Sequence, residues 1–346
     1  MLDEVKNYYG NTLKSSGDLL TNACCTGDEP PQYIKDILVN IHDEVLAKYY
    51  GCGLVIPALL EDARVLDLGC GAGRDVYTLS ALVGERGHVT GVDMTDEQLD
   101  VARKYRDYHA EVFSYAQSNV DFVQGELEKL AELGFEKNSF DVVVSNCVIN
   151  LCVDKEAVLK AVFELLKPGG EMYFSDVYAS RRIPQTLQQD SVLYGECLSG
   201  AFYWNDFINV SKKVGFDDPR LVSSSPIIIE DEAVKEKLQG IDFYSATYRL
   251  FKLDDLEPQC EDYGQAVIYK GGIAHQQNQF VLDAHHKIDK GKIFPVCGNT
   301  DSMLRKTRFA PYFDFIGDRS QHFGIFEGCG TAIPFSDEST GAEPCC

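Results

Sequence analysis

Cysteine thiols are the side chains of this sequence with the most obvious capacity for chemistry. Twelve cysteines in a chain of 346 residues that starts without a secretory signal indicate free thiols, metal chemistry or redox work. No C-x-x-C and no H-E-x-x-H occurs, so ordinary structural zinc spacing is absent. A free cysteine is most often a small buried hydrophobe, so each one has to be judged by its context. The twelve stand at 24, 25, 52, 70, 147, 152, 197, 260, 297, 329, 345 and 346.

Three of these thiols stand in distinctive local sequences. Cys52 lies in Tyr49-Tyr-Gly-Cys-Gly53, and Cys197 lies in Tyr194-Gly-Glu-Cys-Leu198. Cys147 lies in Ser145-Asn-Cys-Val-Ile-Asn-Leu151, directly after the apolar run Asp141-Val-Val-Val144. That run is typical of a buried strand, and its polar end is expected to meet a ligand.

A second candidate for chemistry is the glycine turn Asp67-Leu-Gly-Cys-Gly-Ala-Gly73. A dinucleotide fingerprint, G-x-G-x-x-G, would need glycine where Arg74 stands, so that motif does not fit. Glycine lets the backbone approach a ligand where a Cβ would clash. The turn therefore predicts a ligand other than a dinucleotide.

The elements around these residues alternate between strand and helix from about residue 61 to 180. This alternation predicts an α/β fold with a parallel, doubly wound sheet whose ligands lie at the carboxyl ends of the strands. Ranges 64–68, 88–93, 120–124, 141–145 and 171–175 are predicted strands, and 75–83, 96–116 and 155–166 are predicted helices.

This ordered set of features resembles the class I S-adenosylmethionine-dependent methyltransferases. Two motifs support this resemblance: the G-x-G-x-G turn with Asp67 before it, and Leu165-Leu-Lys-Pro-Gly-Gly170 before the fifth strand. The resemblance implies that Gly69, Gly71 and Gly73 approach the methionine moiety and that Asp93 takes the ribose hydroxyls. It also implies contacts of Met94 and Glu126 with the adenine, and it includes Asn146 in the cofactor site.

The three cysteine motifs, together with Thr21-Asn-Ala-Cys-Cys-Thr26, resemble the arsenite S-adenosylmethionine methyltransferases from about residue 5 to 320. The resemblance implies that Cys52, Cys147 and Cys197 bind trivalent arsenic. It places the redox-active thiol at Cys24, with Cys25 as an adjacent candidate, and a reductant such as glutathione or thioredoxin outside the chain. Cys70 is interpreted as no ligand. Cys345 and Cys346 have two open interpretations, a metal-loading pair or a disordered tail.

The chemistry agrees with this resemblance. Trivalent arsenic is a soft centre that favours thiolate over carboxylate or imidazole. Its lone pair can attack a sulfonium methyl group without losing a proton, so no general base is required. Catalysis would then consist mainly of positioning.

The composition of the chain indicates which classes of partner and which cellular location to expect. A formal net charge of −22 repels nucleic-acid phosphates and anionic lipid, so neither partner is expected. No run approaches the roughly 20 apolar residues of a spanning helix, and the cytoplasm is the expected location. The predicted organisation is a helical segment with a cysteine loop (1–60), a cofactor domain (61–215), a C-terminal α+β domain (216–320) and a loose tail (321–346). Within the first segment, helices are predicted over 4–13 and 31–48.

Two other hypotheses stay open at this point. One keeps the methyltransferase and changes the acceptor to antimonite, selenium or a carbon nucleophile. The other is a thiol-based metalloid-binding or redox-sensing protein that uses the cofactor domain as a scaffold, and it predicts metalloid binding without methyl transfer. The intact Asp67, glycine turn and Asp93 favour an enzyme.

Overall fold

The computed structural model describes residues 29–49, 53, 55–188, 190, 193, 197–229 and 231–329. The predicted helix at Glu4–Leu13, Cys24, Cys25, Cys52 and the Cys345–Cys346 pair lie outside the described residues. The chain forms two compact units. The first unit contains residues 1–252 and 281–287, and the second contains 253–280 and 288–346.

The first unit is built on an eight-stranded mixed sheet with the order β3-β2-β1-β4-β5-β8-β7, and β6 lies beside β5. Strands β1 to β5 pair in parallel with one another, whereas β8 runs antiparallel to both β5 and β7. The predicted α/β class with a parallel, doubly wound core is confirmed. The strands are β1 (Arg64–Leu68), β2 (His88–Asp93), β3 (Val120–Gln124), β4 (Phe140–Asn146), β5 (Leu166–Ala179), β6 (Phe202–Tyr203), β7 (Arg220–Pro226) and β8 (Phe243–Phe251).

Helices cover both faces of this sheet because alternate strand residues point to opposite sides. In β4, Val143 joins one apolar cluster, and Val142 and Val144 join another. The helices of this unit are α1 (Gln32–Leu38), α2 (Asp43–Ala47), α3 (Arg74–Val83), α4 (Asp96–Lys104), α5 (Arg106–Val112), α6 (Lys155–Leu165), α7 (Gln185–Gln188), α8 (Trp204–Val214) and α9 (Glu232–Leu238), with 3₁₀ turns at Leu127–Glu132 and Ile149–Leu151.

The second unit contains small antiparallel sheets and one α-helix among its described residues. Strand β10 pairs on one side with β13 and on the other with β14, and β9 pairs with β15. The remaining bounds are β9 (Glu261–Asp262), β10 (Gln265–Tyr269), β11 (Gln279–Val281), β12 (Lys287–Asp289), β13 (Ile293–Val296), α10 (Gly298–Arg305), a 3₁₀ turn at Ala310–Tyr312, β14 (Phe313–Ile316) and β15 (Gly324–Ile325).

The domain boundary predicted between residues 215 and 216 lies before two strands that belong to the main sheet. Strand β8 pairs with β5 along nine residues, and β7 pairs with β8, so both strands complete the main sheet. The two compact units instead separate between Lys252 and Leu253. The sequence predicts strands over 220–222 and 243–252, but a local strand pattern carries no information about which sheet a strand joins.

Two predicted helices are each divided in the structure. The predicted helix over 96–116 breaks at Tyr105, whose ψ of 15° leaves the helical region, and α5 ends at Val112. The helical segment predicted over 31–48 breaks before His42, which is extended (ψ 137°) and accepts a hydrogen bond from Glu44 N through its ring. Side-chain capping by His42 stabilises this second start.

A buried histidine joins these divided helices. His109 in α5 stacks on Tyr77 at 3.6 Å between ring centroids. Its Nδ1 donates to the Tyr105 carbonyl at 2.7 Å, and its Nε2 accepts from His42 N at 3.2 Å. Because Nε2 must accept, the ring is neutral, and burial lowers the pKa of His109 to about 4.

The pKa of His109 predicts a pH dependence of stability. Between pH 6.5 and about 4 the unfolded chain binds a proton that the folded chain rejects, so the free energy of unfolding falls with falling pH. A full shift of this size corresponds to a loss on the order of 3 kcal/mol. His109→Phe keeps an aromatic ring for the stack and should flatten this slope in urea unfolding between pH 7 and 5. An equal slope in wild type and variant would contradict the assignment.

Candidate active site

A cleft lies at the carboxyl ends of β1, β2, β3 and β4, where parallel sheets of this type bind ligands. It combines the glycine turn, three aspartates and three cysteines. Its lining residues are Lys48, Tyr49, Asp67, Gly69, Cys70, Gly71, Ala72, Arg74, Asp75, Asp93, Met94, Thr95, Gln98, Gly125, Leu127, Glu128, Asn146, Cys147, Val148, Leu151 and Cys152.

The glycine turn needs its glycines for different reasons. Gly69 (φ +72°) lies against Val148, and a Cβ there would approach a valine methyl group to 2.4 Å. Within the described part of the chain, Gly71 (φ +51°) has no atom within 4 Å of an added Cβ, so its bare backbone faces open cleft space. Gly73 (φ +90°) begins α3 as its N-cap and does not line the cleft. Gly71 is thus the glycine at which a ligand can approach the backbone most closely.

Asp93 closes the turn from the end of β2. Its two carboxylate oxygens accept the N–H groups of Gly71 at 2.9 Å and Thr95 at 2.8 Å. Burial raises the pKa of Asp93, and these backbone hydrogen bonds oppose the rise. The interactions fix the carboxylate at the cleft wall, in a position suited to accept hydroxyl groups.

Asp67 is the buried acid before the turn. It is 3% exposed, and its Oδ2 has no hydrogen-bond partner among the residues that the structure describes. Burial raises the pKa of Asp67 well above its usual range, and the nearby Asp75 and Asp93 raise it further. An unpartnered carboxylate oxygen in an acidic cleft is suited to a positively charged ligand, because the charge would relieve this repulsion.

The wall beside β3 differs in detail from the prediction. Met94 lines the cleft, whereas Glu126 does not. Glu126 pairs with Lys129 Nζ at 2.8 Å, and its neighbours Gly125 and Leu127 line the cleft instead. A contact between Glu126 and adenine therefore stays a prediction. Sequence reasoning missed Thr95, Gln98 and Glu128, whose polar side chains carry no motif of their own.

Cys147 lines the cleft, and Cys197 lies beside it. Both are buried, and the Cys197 thiol donates to the Cys147 carbonyl oxygen at 3.5 Å. Both residues have left-handed backbones, with φ of +54° and +60°. Such a conformation is costly for an L-residue and tends to occur at functional sites. The strand-end position of Cys147 and its proximity to Cys197 agree with the predicted thiol site.

Cys147 and Cys197 differ in redox state. Cys147 takes part in a disulfide, whereas Cys197 carries a thiol. A thiolate, not a disulfide, binds a soft metal or metalloid, so Cys147 must be reduced first. Within the described residues, no group of three His, Cys, Asp or Glu side chains has the arrangement of a metal site. The third predicted ligand, Cys52, lies outside those residues.

Two further cysteines line the cleft without the properties of ligands. Cys70 packs against Gly91, where an added Cβ would lie 2.7 Å from the sulfur. Cys152 donates to the Val148 carbonyl at 3.7 Å. Burial is the main cause that raises the pKa of both thiols, which therefore remain protonated. This agrees with the interpretation of Cys70 as no ligand.

A hydrogen-bond network holds the chain beside Cys52. The Gly53 carbonyl accepts from Tyr49 OH at 2.5 Å, Arg74 at 3.0 Å and Asn146 Nδ2 at 3.1 Å. Asn146 Nδ2 also lies 3.2 Å from Asp75, and the Arg74 guanidinium stacks 3.1 Å from the Tyr49 ring centroid. The Arg74 guanidinium therefore covers one face of the Tyr49 ring. The Asn146 amide nitrogen faces protein groups, so its predicted cofactor contact stays a prediction.

Comparison with known proteins decides the family. Residues 59–215 match the methyltransferase domain model, and residues 263–332 match the arsenite methyltransferase C-terminal domain model. An arsenite methyltransferase of Aquipseudomonas alcaligenes is 59% identical over 348 residues, with 100% of both chains covered. This chain belongs to the arsenite methyltransferase family. The predicted family is thereby confirmed.

Other members of the family are similar over most of their length. The arsenite methyltransferase of Mus musculus is 49% identical, with 90% of this chain and 82% of the mouse protein covered. The crystal structure of an arsenic(III) S-adenosylmethionine methyltransferase from Chlamydomonas reinhardtii matches with a TM-score of 0.84 and 48% identity. That match covers 86% of this chain and 100% of the algal one.

The surroundings of Gly71 predict its role in binding the methyl donor. Gly71→Ala should weaken S-adenosylmethionine binding about tenfold or more in isothermal titration calorimetry, because the new Cβ enters open cleft space. Gly134→Ala is the matched control, since Gly134 also has positive φ and no neighbour within 4 Å of an added Cβ. Both variants should lose about 1 kcal/mol of stability through backbone strain. Equal affinities in the two variants would contradict the assignment.

Proposed function

We propose that this protein transfers the methyl group of S-adenosylmethionine to trivalent arsenic held by its own thiols, forming methylated and dimethylated arsenicals in arsenic detoxification. The observation that carries this proposal is the meeting of Cys147 and Cys197 beside the glycine cleft. The names of the family relatives, arsenite methyltransferases of bacterial and mammalian origin, support the same substrate.

The cleft residues fit S-adenosylmethionine. The unpartnered Asp67 oxygen and the surrounding acids suit a ligand with positive charge, and Asp93 suits one with vicinal hydroxyls. The bare backbone at Gly71 suits close approach. When bound, this cofactor supplies an electrophilic methyl group on a sulfonium sulfur. The protein's part is to orient it and to exclude water.

Cys147 and Cys197, with Cys52 as the third thiol, are the proposed arsenic ligands. Thiolates suit a soft trivalent centre, and they leave its lone pair free to form the new bond to carbon. The lone pair forms the As–C bond while the methyl–sulfur bond breaks, and no proton leaves arsenic. The buried position of both described thiols keeps competing water away. Catalysis then depends on alignment.

A thiol reductant completes the cycle that we propose. Arsenic that has given its lone pair to carbon is formally pentavalent and needs two electrons to become trivalent again. Two thiols can supply them by forming a disulfide, and Cys24 with Cys52 is the proposed pair. An external thiol, glutathione or thioredoxin, would restore it by exchange. Because Cys147 takes part in a disulfide, its thiol would also need reduction before it could bind arsenic.

The proposed setting is the cytoplasm, where such reductants are abundant. Among the helices that the structure describes, none has the length and apolar character needed to cross a membrane. The net charge of −22 supports a small-molecule substrate over nucleic acid or membrane surfaces.

Loss of either described thiol should abolish arsenic methylation. Cys147→Ser and Cys197→Ser should each lower the formation of methylated arsenic on the order of a hundredfold or more, because alignment fails. Chromatography with arsenic-specific mass spectrometry measures the product from arsenite, S-adenosylmethionine and a thiol reductant. Cys297→Ser is the control, since Cys297 is a buried cysteine of the second unit that forms no disulfide.

Normal product from both variants would contradict the thiol assignment. Arsenite binding without methylated product in the wild type would favour the metalloid-binding or redox-sensing alternative. A methylated product from another acceptor, with none from arsenite, would keep the methyltransferase and change its substrate.

The redox role of the N-terminal thiols predicts a separate phenotype. The double variant Cys24→Ser, Cys25→Ser should complete one methylation of arsenite but fail to turn over repeatedly, because the two electrons are not supplied. Single-turnover and multiple-turnover product analysis distinguishes these outcomes. Normal multiple turnover in the double variant would rule out the redox role.

A further inference from the structure

The sequence Ser145-Asn-Cys-Val-Ile-Asn-Leu151 contains a second asparagine, Asn150, with no role in the proposed chemistry. Its side chain is 0% exposed, in the 3₁₀ turn that follows Cys147. A fully buried amide must satisfy its hydrogen bonds within the protein, since each unmet bond costs stability. The partners of Asn150 therefore show what it connects.

The first partner is Asp176, a buried acid near the end of β5. Asn150 Nδ2 donates to Asp176 Oδ1 at 2.7 Å and to the Val177 carbonyl at 2.6 Å. Asn150 N donates to Asp176 Oδ2 at 3.0 Å. Both the backbone and the side chain of Asn150 are thereby attached to the rigid strand β5, three residues after Cys147.

Asp176 is itself held in place. Its Oδ1 accepts the Val177 N–H at 2.8 Å, so the carboxylate is tied to its own strand. Burial raises the pKa of Asp176 to about 7, and backbone N–H groups oppose the rise. Its neighbour Ser175 accepts Cys147 N through its carbonyl at 2.9 Å. The same stretch of β5 thus fixes the loop at Cys147 and at Asn150.

The second partner comes from the other cysteine segment. Phe202 N donates to Asn150 Oδ1 at 3.3 Å, five residues after Cys197. The Cys197 thiol donates to the Cys147 carbonyl. The two cysteine segments thus meet at two points, once at the thiol and once at Asn150.

We propose that Asn150, held by Asp176, is a positioning residue that sets the spacing between Cys147 and Cys197 for two-thiol binding of trivalent arsenic. The inference rests on the proposed function. Two thiols chelate one atom strongly only when both are held at the right separation, because the second bond then forms without further ordering. Without the hydrogen bonds of Asn150, the backbones of the two cysteines would relax from their left-handed conformation.

The test uses phenylarsine oxide, a trivalent arsenical with two sites for thiols. The protein is full-length and reduced, with serine at Cys24, Cys25, Cys52, Cys345 and Cys346 so that competing thiol pairs are removed. In this background Asn150→Ala should weaken phenylarsine oxide binding about tenfold or more while S-adenosylmethionine affinity stays within about twofold. A general loss of structure would weaken both.

Asn119→Ala is the matched control. Asn119 is also buried, and it donates to the Gly84 carbonyl at 2.9 Å and accepts from Ser80 Oγ at 2.5 Å, away from both cysteines. It should lower the thermal midpoint without changing phenylarsine oxide affinity. If Asn150→Ala does not fold, the nearly isosteric Asp176→Asn makes the same test, because it replaces one accepting oxygen by a donor.

The outcomes distinguish the positioning role of Asn150 from the proposed function of the two thiols. If Cys147→Ser and Cys197→Ser weaken binding but Asn150→Ala and Asp176→Asn do not, the positioning role is overturned and the proposed function stands. If the two cysteine variants bind phenylarsine oxide as the background does, the proposed thiol site itself fails. Weaker binding in all four variants, with Asn119→Ala unchanged, supports the inference.

Discussion

The left-handed turn at Cys147, immediately after β4, is the constraint on which the cleft depends. Because β4 pairs in parallel with β1, with Ser145 opposite Leu68, the thiol and the glycine turn start from adjacent strand ends. A positive φ at a non-glycine residue costs about 1–3 kcal/mol and persists only when its surroundings enforce it. Strand β5 enforces the conformation of Cys147, because the Ser175 carbonyl accepts Cys147 N and the Asp176 carboxylate accepts Asn150 N.

The cleft joins two environments that suit its two proposed ligands. The glycine-turn side is acidic, with Asp67, Asp75 and Asp93 along its wall, and it suits a cationic methyl donor. The thiol side is apolar, since Cys147 and Cys197 belong to a buried hydrophobic cluster. A soft, uncharged acceptor is stable there, whereas a carboxylate or ammonium group would pay a large desolvation cost. Acceptor choice thus follows from both the thiols and their surroundings.

The strands and the glycine turn could be predicted from sequence because their signals are local: apolar runs, breaks and fixed spacing. The assignment of β7 and β8 to the main sheet could not, since strand pairing is a long-range property. The three cysteine motifs identified the thiols, and the structure brings two of them together. The network around Asn150 and the pairing of Glu126 with Lys129 were not predictable, because each depends on side-chain packing.

Arsenic K-edge X-ray absorption of the reduced protein with one equivalent of arsenite tests the central claim most directly. We expect the arsenic atom to have three sulfur neighbours and no oxygen neighbour, with Cys52, Cys147 and Cys197 as the donors. The matched Cys197→Ser sample should show one sulfur fewer. Arsenic bound mainly to oxygen, or an unchanged sulfur count in Cys197→Ser, would contradict the claim that these thiols hold the methyl acceptor.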